Sequence, residues 1–210
     1  IILSNVSGKT RENILVNPNF KLSTIQISTF NDLIIRRALG KEPVAYLFNK
    51  KEFWSNKLDI NKDVLIPRPE TEILVEALAK YYKNQNPLIL DVGTGSGCII
   101  ISLLQELKKS KGVAMDISNK ALKIAKKNSK INNTFKRINF VNSSICNFSS
   151  YKFDLVVSNP PYILSHQLKN LDESIKHFEP KIALDGGNDG LDVMRKVIYK
   201  SRKILKINGM

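Results

Sequence analysis

Apolar positions change their spacing several times along the chain, and each spacing predicts a different element. From Ser28 onward Phe30, Leu33, Ile34 and Ala38 recur at helical intervals, with Gly40 and Pro43 as stop signals, so a helix ending near residue 39 is expected. It would be the last of a small helical lead-in, although residues 1–22 carry no consistent period and contain the turn signal Asn17-Pro18-Asn19. Phe53, Trp54, Leu58, Ile60, Val64, Leu65 and Ile66 then cluster around two polar triplets, Ser55-Asn56-Lys57 and Asn61-Lys62-Asp63. That is the pattern of two short strands joined by turns. Apolar residues at 73, 74, 77, 78 and 81 give Glu70 to Tyr82 the stripe of an amphipathic helix.

After Pro87 buried strands and helices alternate. Leu88-Ile89-Leu90 runs into Asp91-Val92-Gly93-Thr94-Gly95-Ser96-Gly97 and then into an apolar helix through Leu107. Strand, glycine turn and helix open a parallel α/β sheet. Gly112 to Asp116 and Ile138 to Val141 supply two further strands, with a helix from Ser118 or Asn119 to Ile131 between them. Phe153 to Ser158 supplies a fourth, apolar enough for burial on both faces, and a final helix runs from Leu191 to Leu205. The expected fold class is therefore α/β. A helical N-terminal part covers residues 1–50, a hairpin linker 51–66 and a doubly wound sheet domain 67–210. Four strands would leave the last as an open apolar edge, which natural sheets avoid. Further strands are accordingly expected beyond Met210.

Composition narrows the class of protein. Over 210 residues, 42% hydrophobic and 25% charged positions with a mean hydropathy of −0.18 describe a globular chain rather than a disordered or membrane one. No run approaches the roughly 18 to 20 apolar residues of a membrane span, and Ile1-Ile2-Leu3 lacks the marks of a signal peptide. A bacterial cytoplasm or an organelle matrix is expected. Two cysteines, Cys98 and Cys146, exclude a secreted disulfide scaffold. The net charge of +14 invites a polyanionic partner. Against it, 26 Lys stand beside only 7 Arg, the better phosphate and base reader, and they scatter along helical faces, as at Lys120, Lys123, Lys126, Lys127 and Lys130. Most of the charge is thus read as a solvated surface.

Two segments carry chemistry. In Asp91-x-Gly93-x-Gly95-x-Gly97 the missing Cβ atoms let backbone approach a ligand closely. The spacing departs from the dinucleotide fingerprint, and Asp116 follows at the end of the next strand, where a carboxylate can hold ribose hydroxyls. Both features suit S-adenosylmethionine, though such a turn can also serve packing alone.

Asn159-Pro160-Pro161-Tyr162 follows the fourth strand. Two successive prolines remove two N–H donors and stiffen the loop. The Asn159 side-chain oxygen and the Pro160 carbonyl can then each accept one N–H of a planar NH₂ group, with Tyr162 as a flat wall. Such a cradle would aim a weakly nucleophilic nitrogen at a sulfonium methyl by positioning, without a general base. An amide nitrogen of protein glutamine and the exocyclic nitrogen of adenine both meet this description.

The chain resembles the HemK family, the release factor glutamine methyltransferases. Arg36 to Leu47, Glu52-Phe53-Trp54 and Leu65-Ile66-Pro67-Arg68-Pro69-Glu70-Thr71-Glu72 carry the likeness. The glycine loop, Asp116, Ser158 to Tyr162, Phe178-Glu179-Pro180 and Asp189-Gly190-Leu191 follow in the same order. The resemblance implies a Rossmann-like class I methyltransferase sheet that methylates the glutamine amide of the Gly-Gly-Gln motif in class 1 peptide chain release factors. It also implies that Asp91, Gly93, Thr94, Gly95, Ser96, Gly97, Asp116, Ile145 and Asn159 bind S-adenosylmethionine. Asn159, Pro160 and Tyr162 would be catalytic, and these with Pro161, Arg68 and Glu70 would bind the substrate. Ile145 falls where the family often has an aromatic residue, and Ser143-Ser144 stands where an acidic residue is common.

His166 and His177 read as ordinary surface histidines, and neither cysteine has the partners of a nucleophile. Trp54 reads as a hairpin anchor. Three functions compete: the glutamine methyltransferase, an adenine-N6 methyltransferase acting on DNA or RNA, and an inactive truncated remnant. A monomer is expected, with no membrane partner.

Overall fold

The computed structural model of the chain describes residues 1–149 and 152–210. It opens with α1 (Ile2–Ser7), α2 (Arg11–Val16) and α3 (Thr24–Ala38). The first two fall where no period was legible, because six residues are too few to repeat an apolar stripe. Their ends define them: Gly8 closes α1 in the left-handed conformation, and the Thr10 hydroxyl accepts from the Asn13 N–H to start α2. The third helix begins earlier than its apolar stripe because Ser23 and Gln26 form a capping box. Gln26 also donates from its amide to the Val6 carbonyl at 3.2 Å, tying α3 to α1. Of residues 1–45 only Leu33 is buried.

After α4 (Val44–Leu47) the expected hairpin forms from β1 (Lys50–Phe53) and β2 (Asn56–Asp59), paired antiparallel. Its two-residue turn, Trp54-Ser55, takes φ of 49° and 58°, the left-handed pair whose twist matches the flanking strands. Trp54 anchors that strained turn, donating from its backbone to Glu72 and from its indole to Glu106, both at 2.8 Å. Phe53 and Leu58 are buried in a core shared with α5 (Glu70–Tyr81) and α6 (Cys98–Glu106). The hairpin therefore packs on the sheet domain.

That domain is built on β3 (Leu88–Val92), β4 (Lys111–Asp116), β5 (Ile138–Asn142) and β6 (Leu155–Ser158), all parallel in the order β5-β4-β3-β6. The period-2 alternation of β3 sends Ile89 toward the face covered by α6 and α7 (Asn119–Ile131). Leu90 and Val92 point to the other face, covered by α9 (Asp192–Ile204). Ile89 and Leu90 are both fully buried, each contributing roughly 1.5–3 kcal/mol by removal from water.

The outer edge of β6 is partly paired, contrary to the open edge expected. Phe153 N–H donates to Ile204 O at 2.8 Å, Lys206 N–H to Phe153 O at 2.9 Å, and Val156 N–H to Met210 O at 2.8 Å. Residues 204–210 thus lie along the first half of the strand, and β6 itself starts at Leu155, two positions later than its apolar run. On its other side β6 pairs with β3, from which the chain otherwise proceeds outward to β4 and β5. The order reverses at β3, and ligands of open α/β sheets bind beside the carboxyl ends of strands at such a reversal.

Candidate active site

A cavity of about 680 Å³ opens at that place, walled by the ends of β3, β4 and β6. The glycine loop forms its floor. Gly93 and Thr94 both donate from the backbone to the Met115 carbonyl at 2.9 Å, which lashes the loop to β4. Gly93 has φ of 72° and a Cβ built there would meet nothing within 4 Å, so its edge on the cavity is open. Asp116 accepts from the Gly95 N–H at 2.9 Å and the Ser118 N–H at 2.8 Å, one bond to each oxygen. Burial raises its pKa, and those amide bonds partly offset the rise. Thr94, Gly95, Ser96 and Ile145 also line this cavity.

Two members of the expected set lie elsewhere. Asp91 lines neither cavity: it is completely buried under the loop, accepting from Thr94 Oγ1 at 2.7 Å and interacting with the Ile100 backbone. Gly97, the residue before α6, has no side chain with which to cap that helix. Burial pushes the Asp91 carboxyl up to about 7, and its Oδ1 has no hydrogen-bond partner. Gly97 also lies outside both cavities. It has φ of 82°, and a Cβ there would come within 3.0 Å of Ile101 Cδ1 and 3.3 Å of Ala125 Cβ. Its role is close packing of α6 against α7.

A second cavity of about 470 Å³ adjoins the first. Ser158, Asn159 and Pro160 line both, while Pro161 borders only the larger and Tyr162 and Glu70 only the smaller. The loop after β6 is therefore the wall common to the two spaces, held to β3 by Ser158 Oγ, which donates to the Val92 carbonyl at 2.7 Å. Asn159 Nδ2 donates to Thr71 Oγ1 at 3.3 Å.

The other side of the shared wall is the start of α5 and the segment before it. Arg68 and Thr71 line both cavities. Arg68 is engaged by Glu179, whose nearly inaccessible carboxylate also accepts from the Ile66 N–H at 3.1 Å. Glu179 and Thr71 stand within motifs of the sequence, but nothing there pairs residue 68 with residue 179 or residue 71 with residue 159. Lys181 and Lys196 also reach the larger cavity, the latter from α9. His166 and His177 line neither, and His177 pairs with Glu173 on α8 (Glu173–Lys176). Cys98 borders the larger cavity with its thiol pushed up to about 12 by burial, which leaves it protonated and inert. Among the described residues no cluster of three or more His, Cys, Asp or Glu could hold a metal.

Comparison with known proteins extends this picture. Residues 69–178 match the family described as the methyltransferase small domain, and residues 1–48 that described as the PrmC N-terminal domain. A protein named release factor glutamine methyltransferase from Caulobacter vibrioides is 38% identical over 212 residues, covering 100% of this chain and 73% of its own. One of the same name from Buchnera aphidicola subsp. Baizongia pistaciae is 40% identical over 206 residues, covering 98% and 73%. A bifunctional methyltransferase of Rickettsia typhi is 40% identical over 230 residues, and the chain spans 44% of it. Among solved structures the hMettl16 catalytic domain in complex with MAT2A 3′UTR hairpin 6 superposes with a TM-score of 0.58 at 18% identity, covering 86% of this chain and 64% of that one. A likeness that distant shows the fold alone.

Proposed function

This chain belongs to the release factor glutamine methyltransferase family, and from that membership we propose that its two joined cavities bring S-adenosylmethionine and a release factor glutamine together at Asn159. The observation that carries the reading is the shared wall: one loop borders a cavity large enough for a nucleoside and a smaller one beside it.

The residues of the larger cavity fit the cofactor. Asp116 has a backbone amide on each oxygen and lone pairs left for vicinal hydroxyls. Met115, Ile117 and Ile145 give apolar wall for a flat base, and Gly93 leaves backbone edge exposed. Ser143 and Ser144 border the same space, as hydroxyls in place of the acidic side chain common in the family. When bound, S-adenosylmethionine supplies an electrophilic methyl on a sulfonium sulfur.

The protein's part is orientation. Asn159 Oδ1 and the Pro160 carbonyl accept the two N–H bonds of the glutamine amide, and Tyr162 forms one side of its pocket. Holding both hydrogens turns the nitrogen lone pair toward the methyl and excludes rotation out of line. The extra proton passes from the amide to water after the methyl arrives, so no residue has to act as base beforehand. Arg68, fixed by Glu179, is a strut of the pocket mouth rather than a free anchor for substrate.

The helical N-terminal residues 1–50 would contact the body of the release factor, within the cytoplasm or matrix where such factors work. No helix among the described residues is long and apolar enough to cross a membrane. The adenine alternative rests on the same Asn159-Pro160-Pro161-Tyr162 cradle and on the net charge, whereas the release factor names of the Caulobacter and Buchnera relatives favour glutamine.

The direct test offers labelled S-adenosylmethionine with a purified class 1 release factor and, in parallel, mixed nucleic acid. Mass spectrometry should find the methyl on the glutamine of Gly-Gly-Gln. A methyl on adenine would overturn the assignment.

A further inference from the structure

We propose that Gly186 and Gly190, in the loop before α9, are positioning residues: they let that loop close on the backbone of Tyr162 and so set where Asn159 and the Pro160 carbonyl stand. The proposal rests on the glutamine reading above. The loop after β6 has little with which to set its own place, since positions 160 and 161 are prolines and offer no N–H to bond. It is tied at its start by Ser158 and again at Ile163, whose N–H donates to the Leu184 carbonyl at 3.0 Å and whose carbonyl accepts from the Gly186 N–H at 2.8 Å. Ser165 N–H donates to the Gly187 carbonyl at 2.9 Å.

Between those ties the two segments meet backbone to backbone. A Cβ at Gly186 would stand 2.8 Å from Tyr162 Cα and 2.5 Å from the Gly190 carbonyl oxygen, and one at Gly190 would stand 2.6 Å from the Tyr162 carbonyl oxygen. These distances lie inside van der Waals contact, and backbone atoms, unlike the ends of side chains, have no rotamer by which to turn aside. Any side chain here forces one segment away from the other.

The segment that holds the glycines is the firmer of the two. Asp185 accepts from the Gly187 N–H at 3.1 Å and from the Ser165 hydroxyl at 2.6 Å, and the Asp192 N–H donates to the Gly186 carbonyl at 2.9 Å. Asp189 accepts from the Leu191 N–H and from the Arg195 guanidinium, both at 3.0 Å. These bonds fasten the loop to α9, which is packed into the core by Val197 and Ile204. Pro160 and Tyr162, by contrast, border open cavity. A methyl at Gly186 therefore displaces Tyr162 toward the acceptor space, and the fixed φ of Pro160 and Pro161 passes the shift on to Asn159 instead of absorbing it. Asp116 and the glycine loop, at the ends of β4 and β3, are left in place. Transfer depends on alignment of the acceptor nitrogen, so turnover suffers more than cofactor binding.

The test uses the full chain in four forms: wild type, Gly186→Ala, which adds the methyl where φ is not left-handed, Asp189→Ala, which frees the loop from Arg195 without adding an atom, and Gly112→Ala, which sets a methyl 2.5 Å from Ile100 Cδ1 at the far end of β4. Methylation of a purified class 1 release factor gives kcat and KM, calorimetry gives S-adenosylhomocysteine affinity, and circular dichroism gives the folded fraction at the assay temperature. In Gly186→Ala we expect kcat per folded molecule to fall about a hundredfold, the scale of a misplacement near 1 Å, with KM and S-adenosylhomocysteine affinity within about threefold. Asp189→Ala should lose about threefold to tenfold in kcat in the same pattern, and Gly112→Ala should stay within about twofold. A kcat for Gly186→Ala within twofold of wild type, a loss matched by its loss of cofactor affinity, or an equal loss in Gly112→Ala overturns the proposal. Should Gly186→Ala not fold, Asp189→Ala decides, and an unchanged kcat there overturns it. A wild-type chain that does not methylate the release factor overturns the glutamine reading itself, and the proposal with it.

Discussion

The side-chain amide of Asn128 and the backbone of Asp59 exchange two hydrogen bonds: Asp59 N–H donates to Oδ1 at 2.7 Å, and Nδ2 donates to the Asp59 carbonyl at 2.8 Å. The same Nδ2 donates its second hydrogen to the Ser96 carbonyl at 2.9 Å. One fully buried residue of α7 thereby joins the hairpin to the glycine loop. The lysine next to it, Lys127, reaches the Asp59 carboxylate at 2.5 Å and reinforces the joint from the surface.

Replacing Asn128 by Ala would strand three buried backbone groups. Each unsatisfied group costs about 1–3 kcal/mol, offset in part by water entering the space, so a loss of roughly 2–4 kcal/mol is expected. Urea unfolding should show a lower midpoint with an unchanged slope. A loss under about 1 kcal/mol would mean that hairpin and loop are held together by other contacts.

Gly93→Ala and Gly97→Ala should separate binding from stability. Both glycines have positive φ, which costs an alanine about 1 kcal/mol. At Gly97 the new methyl also meets Ile101 and Ala125, so destabilisation of about 2–3 kcal/mol is expected. At Gly93 the methyl enters open space at the cavity edge, and the larger effect should be weaker S-adenosylhomocysteine affinity by calorimetry. Equal effects of the two variants on affinity and stability would remove the distinction drawn between them.

Asp91 should make the protein less stable as pH rises from about 4 to about 7. Burial holds its proton in the folded chain up to about 7, against an ordinary value of 3.8. Within that window the native state binds one more proton than the unfolded state, so unfolding free energy falls with pH, on the order of 1 kcal/mol per unit. Asp116, also raised by burial, acts in the same sense. Asp59 and Asp154 are lowered, Asp59 by Lys127 and Lys50 and Asp154 by the Leu88 N–H and Lys206, so they oppose it. The clean quantity is therefore wild type minus Asp91→Asn, measured by urea unfolding at several pH values. A difference that does not change across the window would show that the carboxyl is already ionised there.

Asn159→Ala should abolish methyl transfer while leaving cofactor affinity within about tenfold, because the lost contact is made chiefly to the reacting nitrogen. Single-turnover rates and S-adenosylhomocysteine binding measured on the same preparation decide the matter. Parallel loss of both would make Asn159 a cofactor residue first.

Local chain features were legible because their causes are local. Four parallel strands, the glycine turn and the doubled proline after β6 each follow from residues within a few positions of one another: apolar runs, missing Cβ atoms and missing N–H groups. Asp116 and Asn159 were found in the same way, each at the carboxyl end of a strand. The first two helices escaped because they are shorter than the period that would announce them. The half-paired edge of β6 escaped because its partner, residues 204–210, carries no strand pattern of its own.

The sequence by itself thus determined the α/β class and which strand ends and loops wall the cavities. Tertiary structure alone decided which of their residues touch the cavities and which hold others in place. Asp91 and Asp116 look alike along the chain, yet one is sealed beneath the glycine loop and the other borders the larger cavity. Thr71 with Asn159, Arg68 with Glu179 and Asn128 with Asp59 are separated by 88, 111 and 69 positions. No spacing rule reaches that far. Such pairs form only because packing of the sheet against its helices brings buried polar groups together, and each must find a partner there or forfeit its hydration.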